Sequence, residues 1–287
     1  MVMKMPSPAI KDVIKTGRFE IPYRLYGDDG PHLVCLNGIQ QSMAMWQAVV
    51  ARFAGDYRIV LFDFPGQGKG RSVSGPVRAS LDEEVAILSD VMKTTRANDD
   101  VSLCTASWGG IVALAFASHY PQEVNRLLLG SIGTKTNKKM VETIEKGCSI
   151  GAGNREEFAG LLIESFGQNL PEAIKRRIGT QFRSISTENL QSFCDHGLMV
   201  ISVEKISDHI DIKNIQVETI IIRGEKDAIV DMDDIEFLSS QIPNCQVKII
   251  KDVGHFLHME SEEVLDMYWE LLPKKIEPAY GYAMGKC

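Results

Sequence analysis

Short apolar runs of strand length recur along the first half of the chain and alternate with helical patterns. Four mainly apolar stretches lie at residues 32–36, 58–63, 101–104 and 124–130. Such runs are typical of strands that are buried on both faces of a parallel sheet. Since segments with helical spacing separate them, the pattern predicts a mainly parallel, doubly wound α/β sheet with helices on both faces.

Other segments of the first half predict one edge of this sheet and its first helices. Residues 12–16 and 18–26 alternate apolar and polar positions around a glycine, which predicts an antiparallel strand pair. Residues 45–53 have an amphipathic helical pattern. Ser80, followed three positions later by Glu83, forms a capping-box motif that predicts the start of the next helix.

The strand rhythm stops near residue 135 and resumes near residue 218. Four helical patterns fill the gap, at residues 140–148, 155–166, 171–182 and 190–200. We interpret residues 135–206 as an inserted helical cap, because only helical periodicity occurs there. Such a cap would lie over the carboxyl ends of the strands and enclose an apolar cavity.

The remaining chain completes the predicted core. A strand pattern begins at residue 218 and another lies at residues 246–250, with helical patterns at residues 232–241 and 261–272. The expected organisation is a core of residues 1–134 and 207–272, the cap at 135–206, and a C-terminal tail at 273–287.

Composition and charge narrow the classes of protein that fit this pattern. The chain has 287 residues, of which 44% are hydrophobic and 24% charged, as is ordinary for one large enzyme domain. A formal net charge of -7 argues against nonspecific nucleic-acid binding, which requires a basic surface. No stretch has the length of a membrane span and the N-terminus lacks a signal-peptide pattern, so we expect a cytoplasmic protein.

The six cysteines are scattered, without a Cys-x-x-Cys pair. Cys35 and Cys104 lie in predicted buried strands, where free thiols are common. We therefore expect neither disulfides nor a zinc site, and no cofactor.

Ser107 stands at the junction between a predicted strand and a helix of small residues. The segment Thr-Ala-Ser-Trp-Gly around it matches the Gly-x-Ser-x-Gly nucleophile elbow, except that Thr105 replaces the first glycine. Such an elbow exposes the serine hydroxyl. The main-chain N–H of Trp108 would then face an oxyanion, together with that of Ile39 in the loop after an earlier strand. An ordinary buried or capping serine is the alternative, which the motif alone leaves open.

Two further residues complete a constellation in the order serine, acid, histidine. Asp227 and His255 each follow the carboxyl end of a separate predicted strand, as Ser107 does. A histidine can remove the proton from a serine hydroxyl, and a carboxylate orients that histidine and stabilises its charged form. Taken singly, Asp227 is also consistent with a turn or capping residue, with Glu225 and Asp231 as nearby acids, and His255 with a loop histidine. Their joint placement predicts a catalytic triad.

The chain as a whole resembles the α/β-hydrolase superfamily over residues 20–272. The matching segments are Leu36 to Gly38, Val60 to Asp63 with Pro65, Ala106 to Gly110, Gly224 to Asp227, and Gly254 to Leu257 with Glu260 and Ser261. More narrowly, it resembles the 3-(3-hydroxyalkanoyloxy)alkanoic acid synthases of rhamnolipid biosynthesis and the related 3-hydroxyacyl carrier-protein transacylases and thioesterases. That group also lacks the first elbow glycine. The resemblance implies an α/β-hydrolase fold with a helical cap insertion.

The resemblance also implies acyl transfer. A 3-hydroxyacyl group from a carrier-protein- or CoA-bound donor would pass to Ser107 and then to the hydroxyl of a second 3-hydroxyacyl unit. The alternative is hydrolysis by a serine carboxylesterase or thioesterase with the same triad, because the outcome depends on whether water or an alcohol reaches the acyl-enzyme. A ligand-binding protein without turnover is a third hypothesis, against which the intact serine, acid and histidine argue.

Further residues are expected around the site. Gln40 and Met43 stand where the resembling enzymes usually carry small residues and threonines, and we expect them to line the substrate pocket with Phe166 and Phe256. His258 lies at a helix start and is interpreted as structural.

A basic cluster stands out on this acidic chain. It consists of Lys175, Arg176 and Arg177, with Arg183 nearby. It is either a solvated helix face or a docking site for the phosphate of a pantetheine arm or for an acidic carrier protein. The sequence leaves the acyl chain length and the oligomeric state open.

Overall fold

The computed structural model describes residues 5–97, 100–151, 153–203 and 205–274. Nine strands of this part form one sheet. They are β1 (Ile10–Thr16), β2 (Phe19–Tyr26), β3 (His32–Leu36), β4 (Arg58–Phe62), β5 (Arg71–Ser72), β6 (Val101–Ala106), β7 (Arg126–Gly130), β8 (Glu218–Gly224) and β9 (Cys245–Ile250). Their order is β1-β2-β4-β3-β6-β7-β8-β9, with β5 paired to β2.

The sheet is mainly parallel and doubly wound, as predicted. Strands β3, β4 and β6 to β9 run parallel, whereas β1, β2 and β5 join the sheet through antiparallel pairs. The direction of winding reverses between β3 and β6, so the loops after these two strands open a crevice at the sheet edge. The two-residue strand β5 is too short for periodicity to predict.

Nine α-helices occur in the described residues. They are α1 (Gln47–Phe53), α2 (Leu81–Thr95), α3 (Trp108–His119), α4 (Lys138–Gly151), α5 (Arg155–Phe166), α6 (Glu172–Arg183), α7 (Thr187–Ser202), α8 (Met232–Gln241) and α9 (Glu263–Leu271). Short 3₁₀ turns lie at Met43–Trp46, Ile206–His209, Ile212–Asn214 and Leu257–Met259. The predicted capping box starts α2, where Ser80 Oγ accepts from the Glu83 N–H and the Glu83 carboxylate accepts from the Ser80 N–H.

Two apolar cores cover the two faces of the sheet. Successive strand residues point to opposite faces, so Val34 belongs to the core that contains α2, α3 and α8, and Leu33 to the core that contains α1 and α9. This two-sided burial is the physical reason that the central strands are continuous apolar runs.

Helices α4 to α7, which we call the cap helices, lie between β7 and β8, where four helical patterns predict them. They share an apolar cluster formed by Phe158, Leu162, Leu190, Phe193 and Cys194. No helix in the described part of the chain is long and apolar enough to cross a membrane. Residues 275–287 of the predicted C-terminal tail lie outside the described residues.

The cysteines that the structure describes are free thiols, namely Cys35, Cys104, Cys148, Cys194 and Cys245. Cys35 and Cys104 are buried in β3 and β6, as the sequence predicts. Cys287 lies outside the described residues.

Candidate active site

Ser107 occupies a strained turn between β6 and α3. Its φ of 47° lies in the left-handed region, which residues other than glycine rarely adopt. Its main-chain N–H donates to the carbonyl of Gly130 at 2.8 Å. A β-carbon at Gly109 would stand 2.6 Å from the carbonyl oxygen of Leu36, so the end of β3 packs directly against the start of α3. These contacts produce the strand–turn–helix geometry of a nucleophile elbow.

Thr105 occupies the place of the first elbow glycine. Its side chain is buried, and its hydroxyl donates to the carbonyl of Leu128 on β7 at 3.2 Å. The branched side chain is therefore accommodated between two neighbouring strands, and its polar atom is satisfied there.

Asp227 and His255 meet from the loops that follow β8 and β9. The Nδ1 atom of His255 lies 2.9 Å from Oδ2 of Asp227, and both side chains are buried. The other carboxylate oxygen, Oδ1, accepts from the N–H groups of Ile229 at 2.9 Å and Val230 at 3.2 Å. The carboxylate is thus held in place by main-chain donors while it faces the imidazole.

The two acids near Asp227 in the sequence bind elsewhere. Glu225 accepts from the N–H of Asp252 at 3.2 Å, and Asp231 accepts from Nδ2 of Asn137 at 3.0 Å. Of these three acids, Asp227 is the one that contacts the histidine.

Burial and pairing act in opposite directions on the pKa values of the pair. Burial lowers the pKa of His255, but the charge and hydrogen bond of Asp227, together with Glu260, outweigh burial and raise it. Burial raises the pKa of Asp227, but His255 and the N–H groups of Ile229 and Val230 outweigh burial and lower it. An ionised Asp227 favours the His255 tautomer with its proton on Nδ1, which leaves Nε2 free to accept a proton.

Ser107 and His255 both line one cavity of about 160 Å³ between the sheet and the cap helices. Each cap helix contributes apolar lining residues, among them Ile144, Leu162, Ile178 and Val200. An apolar enclosure of this kind excludes water and strengthens electrostatic interactions at the reacting groups.

Ile39 and Trp108 are the two residues whose main-chain N–H groups the sequence predicts as oxyanion donors. Ile39 lines the cavity with Ser107, and Trp108 is the first residue of α3. Within the described residues, neither main-chain N–H has a hydrogen-bond acceptor. The turn that presents Ile39 is fixed by the Gln41 N–H, which donates to the Gly38 carbonyl at 3.1 Å, and by the Gly38 N–H, which donates to Oε1 of Gln41 at 2.7 Å.

Glu260 holds the histidine loop and has no role assigned from the sequence. Its carboxylate accepts from the N–H of Gly254 at 2.6 Å and from the N–H of Phe256 at 2.9 Å, on either side of His255. The two bonds clamp the main chain that carries the imidazole. Glu260 belongs to the segments that carry the family resemblance, but its contacts are not visible in the sequence, since the clamp exists only once the loop has folded back.

Three of the four predicted pocket residues line the cavity: Gln40, Phe166 and Phe256. The rings of Phe166 and Phe256 meet the His255 ring edge-on, with centroid distances of 5.7 Å and 5.9 Å. The amide of Gln40 donates to the carbonyl of Asn189 on α7 at 3.3 Å. Gln40 therefore joins the loop after β3 to a cap helix as well as lining the cavity.

The prediction for Met43 is wrong. Its side chain is buried in an apolar core with Trp46 and Val49. Its N–H donates to Oδ1 of Asp63 at 2.7 Å, which fixes the start of the 3₁₀ turn so that residue 43 faces the core. The neighbouring Met45 lines the cavity in its place.

The members of the predicted basic cluster on α6 have different environments. Arg177 is exposed and lines the cavity, where it donates to Oε1 of Gln47 at 3.4 Å. Arg176 is exposed as well. Two members form ion pairs, Lys175 with Glu172 at 3.0 Å and Arg183 with Glu156 at 3.1 Å. The unbalanced positive charge of the cluster therefore lies on Arg176 and Arg177.

His258 has the contacts of a structural residue. Its ring stacks on Trp46 with a centroid distance of 4.7 Å, and its Nε2 lies 3.1 Å from the carbonyl oxygen of Met45. Burial lowers the pKa of His258 to about 4, so it is neutral at physiological pH.

Comparisons with known proteins identify the family. The family model described as "Alpha/beta hydrolase family" matches residues 33–267. The chain is similar to the (R)-3-hydroxydecanoyl-ACP:CoA transacylase of Pseudomonas putida. The identity is 25% in an alignment of 293 positions, which covers 96% of this chain and 95% of the relative. It is also similar to a monoacylglycerol lipase of Homo sapiens, at 25% identity over 260 residues that cover 84% and 75%. Relatives with these names support an enzyme.

Solved structures share the fold. An alpha/beta hydrolase enzyme from a Medee basin deep-sea metagenome library matches with a TM-score of 0.77 at 18% identity, covering 93% of this chain and 100% of that chain. At this identity the likeness concerns the fold alone.

Proposed function

The chain belongs to the alpha/beta hydrolase family, and on this premise we propose that it is a serine acyltransferase that joins two 3-hydroxyacyl units by an ester bond. The donors are 3-hydroxyacyl thioesters of acyl carrier protein or CoA. The observation that carries the proposal is a nearly full-length similarity to an enzyme named for transfer of a 3-hydroxydecanoyl group, in a chain whose Ser107 and His255 line one apolar cavity.

The first half-reaction forms an acyl-enzyme on Ser107. Nε2 of His255 takes the proton of the Ser107 hydroxyl while the oxygen attacks the thioester carbonyl. Asp227 orients the imidazole and stabilises its charged form. The tetrahedral intermediate collapses with cleavage of the C–S bond, and His255 gives its proton to the leaving thiolate.

The second half-reaction transfers the acyl group to an alcohol. The hydroxyl of a second 3-hydroxyacyl unit gives its proton to His255 as its oxygen attacks the Ser107 ester. The bond to the serine oxygen breaks, and Ser107 recovers the proton from His255. These steps need no cofactor, because the triad supplies every proton transfer.

The main-chain N–H groups of Ile39 and Trp108 stabilise the oxyanion in both half-reactions. Donors that are already in place when charge develops cost no reorganisation during the reaction. One such donor contributes a factor of about 100 to 1,000 to kcat in well-studied enzymes. The charge is therefore stabilised by groups whose position depends on the elbow and on the loop after β3.

The cap of residues 135–206 encloses the acyl chain, with Gln40, Phe166 and Phe256 among the lining residues. No aspartate or glutamate occurs among the described residues that line the cavity, whereas Lys135 and Arg177 do. On a chain with a net charge of -7, this favours a substrate with an anionic end. The phosphate of a pantetheine arm is such a group.

The basic cluster of Lys175, Arg176 and Arg177 docks the carrier or the nucleotide end of the thioester. Arg177 is the best placed of the three, because it is exposed, lines the cavity and, among the described residues, bonds to the neutral side chain of Gln47 rather than to an acid. The mouth beside α6 is therefore the entry for the pantetheine arm.

Hydrolysis by the same triad is the second candidate. The similarity to a monoacylglycerol lipase favours it, since that name describes cleavage of an ester. Both reactions share the acyl-enzyme and differ only in whether water or an alcohol attacks it.

A product assay tests the proposal. The purified chain and its Ser107→Ala variant are incubated with 3-hydroxydecanoyl carrier protein, with and without CoA, and the products are identified by mass spectrometry. An ester-linked dimer that requires Ser107 is the expected product. Free acid alone would establish the hydrolase, and acyl-CoA without dimer would identify a thiol as the acceptor. Equal turnover by both proteins would overturn the serine mechanism.

A further inference from the structure

A group of polar side chains, buried except for the half-buried Arg78, lies beside Trp108, outside the proposed substrate cavity. Gln67, Arg78, Glu84 and His196 line a small space of about 10 Å³. They come from the loop after β4, from the segment before α2, from α2 itself and from cap helix α7. We call these four residues and Trp108 the Glu84 cluster.

The centre of the Glu84 cluster is the contact between Glu84 and the residue that follows Ser107. The indole Nε1–H of Trp108 donates to Oε2 of Glu84 at 2.8 Å, and both side chains are buried. The His196 ring packs edge-on against the same indole, with a centroid distance of 4.3 Å and an interplanar angle of 85°. Trp108 is thus held from two sides, by α2 and by α7.

Burying these polar side chains costs free energy, and close packing by itself does not require polar residues here. Glu84 is 4% exposed, and Nε2 of His196 and Oε1 of Gln67 are buried without a hydrogen-bond partner in the described part of the chain. Buried polar atoms are normally paired, and those that are not commonly mark a functional constraint. An apolar residue at position 84 would fill the space and leave the indole N–H unpaired instead.

The Glu84 cluster also shares its small space with the second proposed oxyanion donor. Ile39 and Gln40 line the same small space as Glu84 and His196. The loop after β3 and the start of α3 therefore rest on one shared group of side chains. A displacement of the Trp108 indole would move both the elbow and this loop.

We propose that Glu84 is a positioning residue for the reaction at Ser107, which holds the Trp108 indole so that the main-chain N–H of Trp108 faces the oxyanion. His196 extends this support to cap helix α7. The proposal rests on the serine mechanism described above. Glu84 touches neither the substrate nor the reacting atoms and acts through Trp108.

Because Glu84 can change its charge, its proposed role predicts a pH dependence of activity that a purely structural role does not. Burial raises the pKa of Glu84 to about 8, the hydrogen bond from Trp108 and the charge of Arg78 oppose this, and Glu83 adds to it. Burial, reinforced by Arg78, lowers the pKa of His196 to about 3, so this neighbour stays neutral. Glu84 is therefore neutral at pH 7 and negative at higher pH, when its charge opposes the oxyanion beside Trp108.

Steady-state kinetics with p-nitrophenyl butyrate between pH 6 and pH 10 test the proposal. Glu84→Ala lowers kcat about 10- to 100-fold, as expected for a displaced oxyanion donor, while KM changes less than about threefold. Glu84→Gln, which still accepts from the indole, keeps the kcat of the native chain at pH 7 and lacks its decline above pH 8. Asp82→Asn, at an exposed position on the same helix, changes neither.

A spectroscopic measurement tests the contact without catalysis. The chain has three tryptophans, so ¹⁵N labelling of tryptophan gives three indole N–H signals, and Trp108→Phe assigns one of them. In the native chain that signal shifts with pH with a midpoint near 8, and in Glu84→Gln it does not. Circular dichroism establishes that each variant is folded.

Two outcomes would overturn the proposal: native kcat in a folded Glu84→Ala variant, or an alkaline decline that persists in Glu84→Gln. Failure of the serine mechanism is a separate result, because Ser107→Ala would then keep native turnover. If Ser107→Ala is inactive and Glu84→Ala is fully active, the positioning role alone is wrong.

Discussion

Nδ1 of His255 lies 2.9 Å from Oδ2 of Asp227, although 28 positions separate the two residues in the chain. Strands β8 and β9 are parallel neighbours, so the loops that follow them leave the same edge of the sheet and bring the two side chains together. The pair is buried, and its mutual stabilisation is therefore little screened by solvent.

Asp227→Asn is expected to lower kcat/KM about 1,000- to 10,000-fold, because the imidazole loses the carboxylate that fixes its tautomer. In the native chain kcat/KM falls as the pH drops through the raised pKa of His255, since only the neutral imidazole can act as a base. In the variant, Asp227 no longer offsets the effect of burial on the pKa of His255. This pKa is therefore lower, and the residual activity declines at a lower pH. A pH series of kcat/KM with a nitrophenyl ester measures both effects.

Asp231→Asn is the matched control for this substitution, because Asp231 is exposed and accepts from Asn137. Its profile is expected to coincide with that of the native chain. Equal losses in both variants would argue against a specific role of the Asp227 carboxylate.

Arg177→Gln is expected to raise KM about three- to tenfold for a carrier-bound or CoA-bound substrate, since an exposed charge-assisted contact to phosphate is modest in strength. Lys175→Gln should have a smaller effect, because Glu172 already pairs with Lys175 at 3.0 Å. Neither change should alter KM for a short nitrophenyl ester. An equal rise in KM for both kinds of substrate would place Arg177 outside the docking site.

Gly109→Ala is expected to destabilise the protein by about 1–3 kcal/mol, because the new β-carbon would stand 2.6 Å from the carbonyl oxygen of Leu36. The shift would also move the elbow, so kcat should fall with the unfolding free energy. Gly160→Ala is the control, since a β-carbon at this exposed position on α5 meets no atom within 4 Å. It should stabilise the helix by up to about 1 kcal/mol. Urea unfolding measures the two variants, and similar values would refute the close approach at Gly109.

The pKa of Glu84 predicts how stability depends on pH. The folded chain keeps Glu84 protonated up to about pH 8, whereas the unfolded chain loses that proton near pH 4.5. The contribution of Glu84 to the unfolding free energy is therefore complete below about pH 4.5 and is lost as the pH rises towards 8. Glu84→Gln removes this dependence, so the difference in unfolding free energy between native chain and variant should change with pH across this window. A constant difference would show that Glu84 does not change its charge there.

The buried strands and the order of the site residues are predictable from the sequence for a physical reason. A strand such as β3 packs Leu33 against one core and Val34 against the other, so every position must be apolar and the run is visible without a structure. Ser107, Asp227 and His255 are then recognisable as candidate catalytic residues in the turns and loops that follow three of the strands. The elbow is harder to recognise in the sequence, because Thr105 replaces its first glycine. The folded chain accommodates Thr105 between two strands, where its hydroxyl donates to the carbonyl of Leu128.

Contacts between residues that are far apart in the sequence cannot be predicted from local patterns. Glu84 lies four and seven positions before Leu88 and Val91, on the apolar stripe of α2, which is a signal that this acid is buried. Its partner Trp108 is 24 positions away, and no periodicity indicates the contact. The clamp of Glu260 on the histidine loop is hidden for the same reason.

The sequence by itself determined the α/β architecture and the presence of four helices between β7 and β8, and it predicts the three residues of the proposed triad, because periodicity and position after strand ends are local properties. The tertiary structure alone decided that Met45 rather than Met43 faces the cavity and that Glu84 meets Trp108. It also decided that Lys175 pairs with Glu172, whereas Arg177 has no acidic partner among the described residues. These outcomes depend on which side chains converge after the chain has folded, and convergence is set by packing between distant segments rather than by the order of neighbours along the chain.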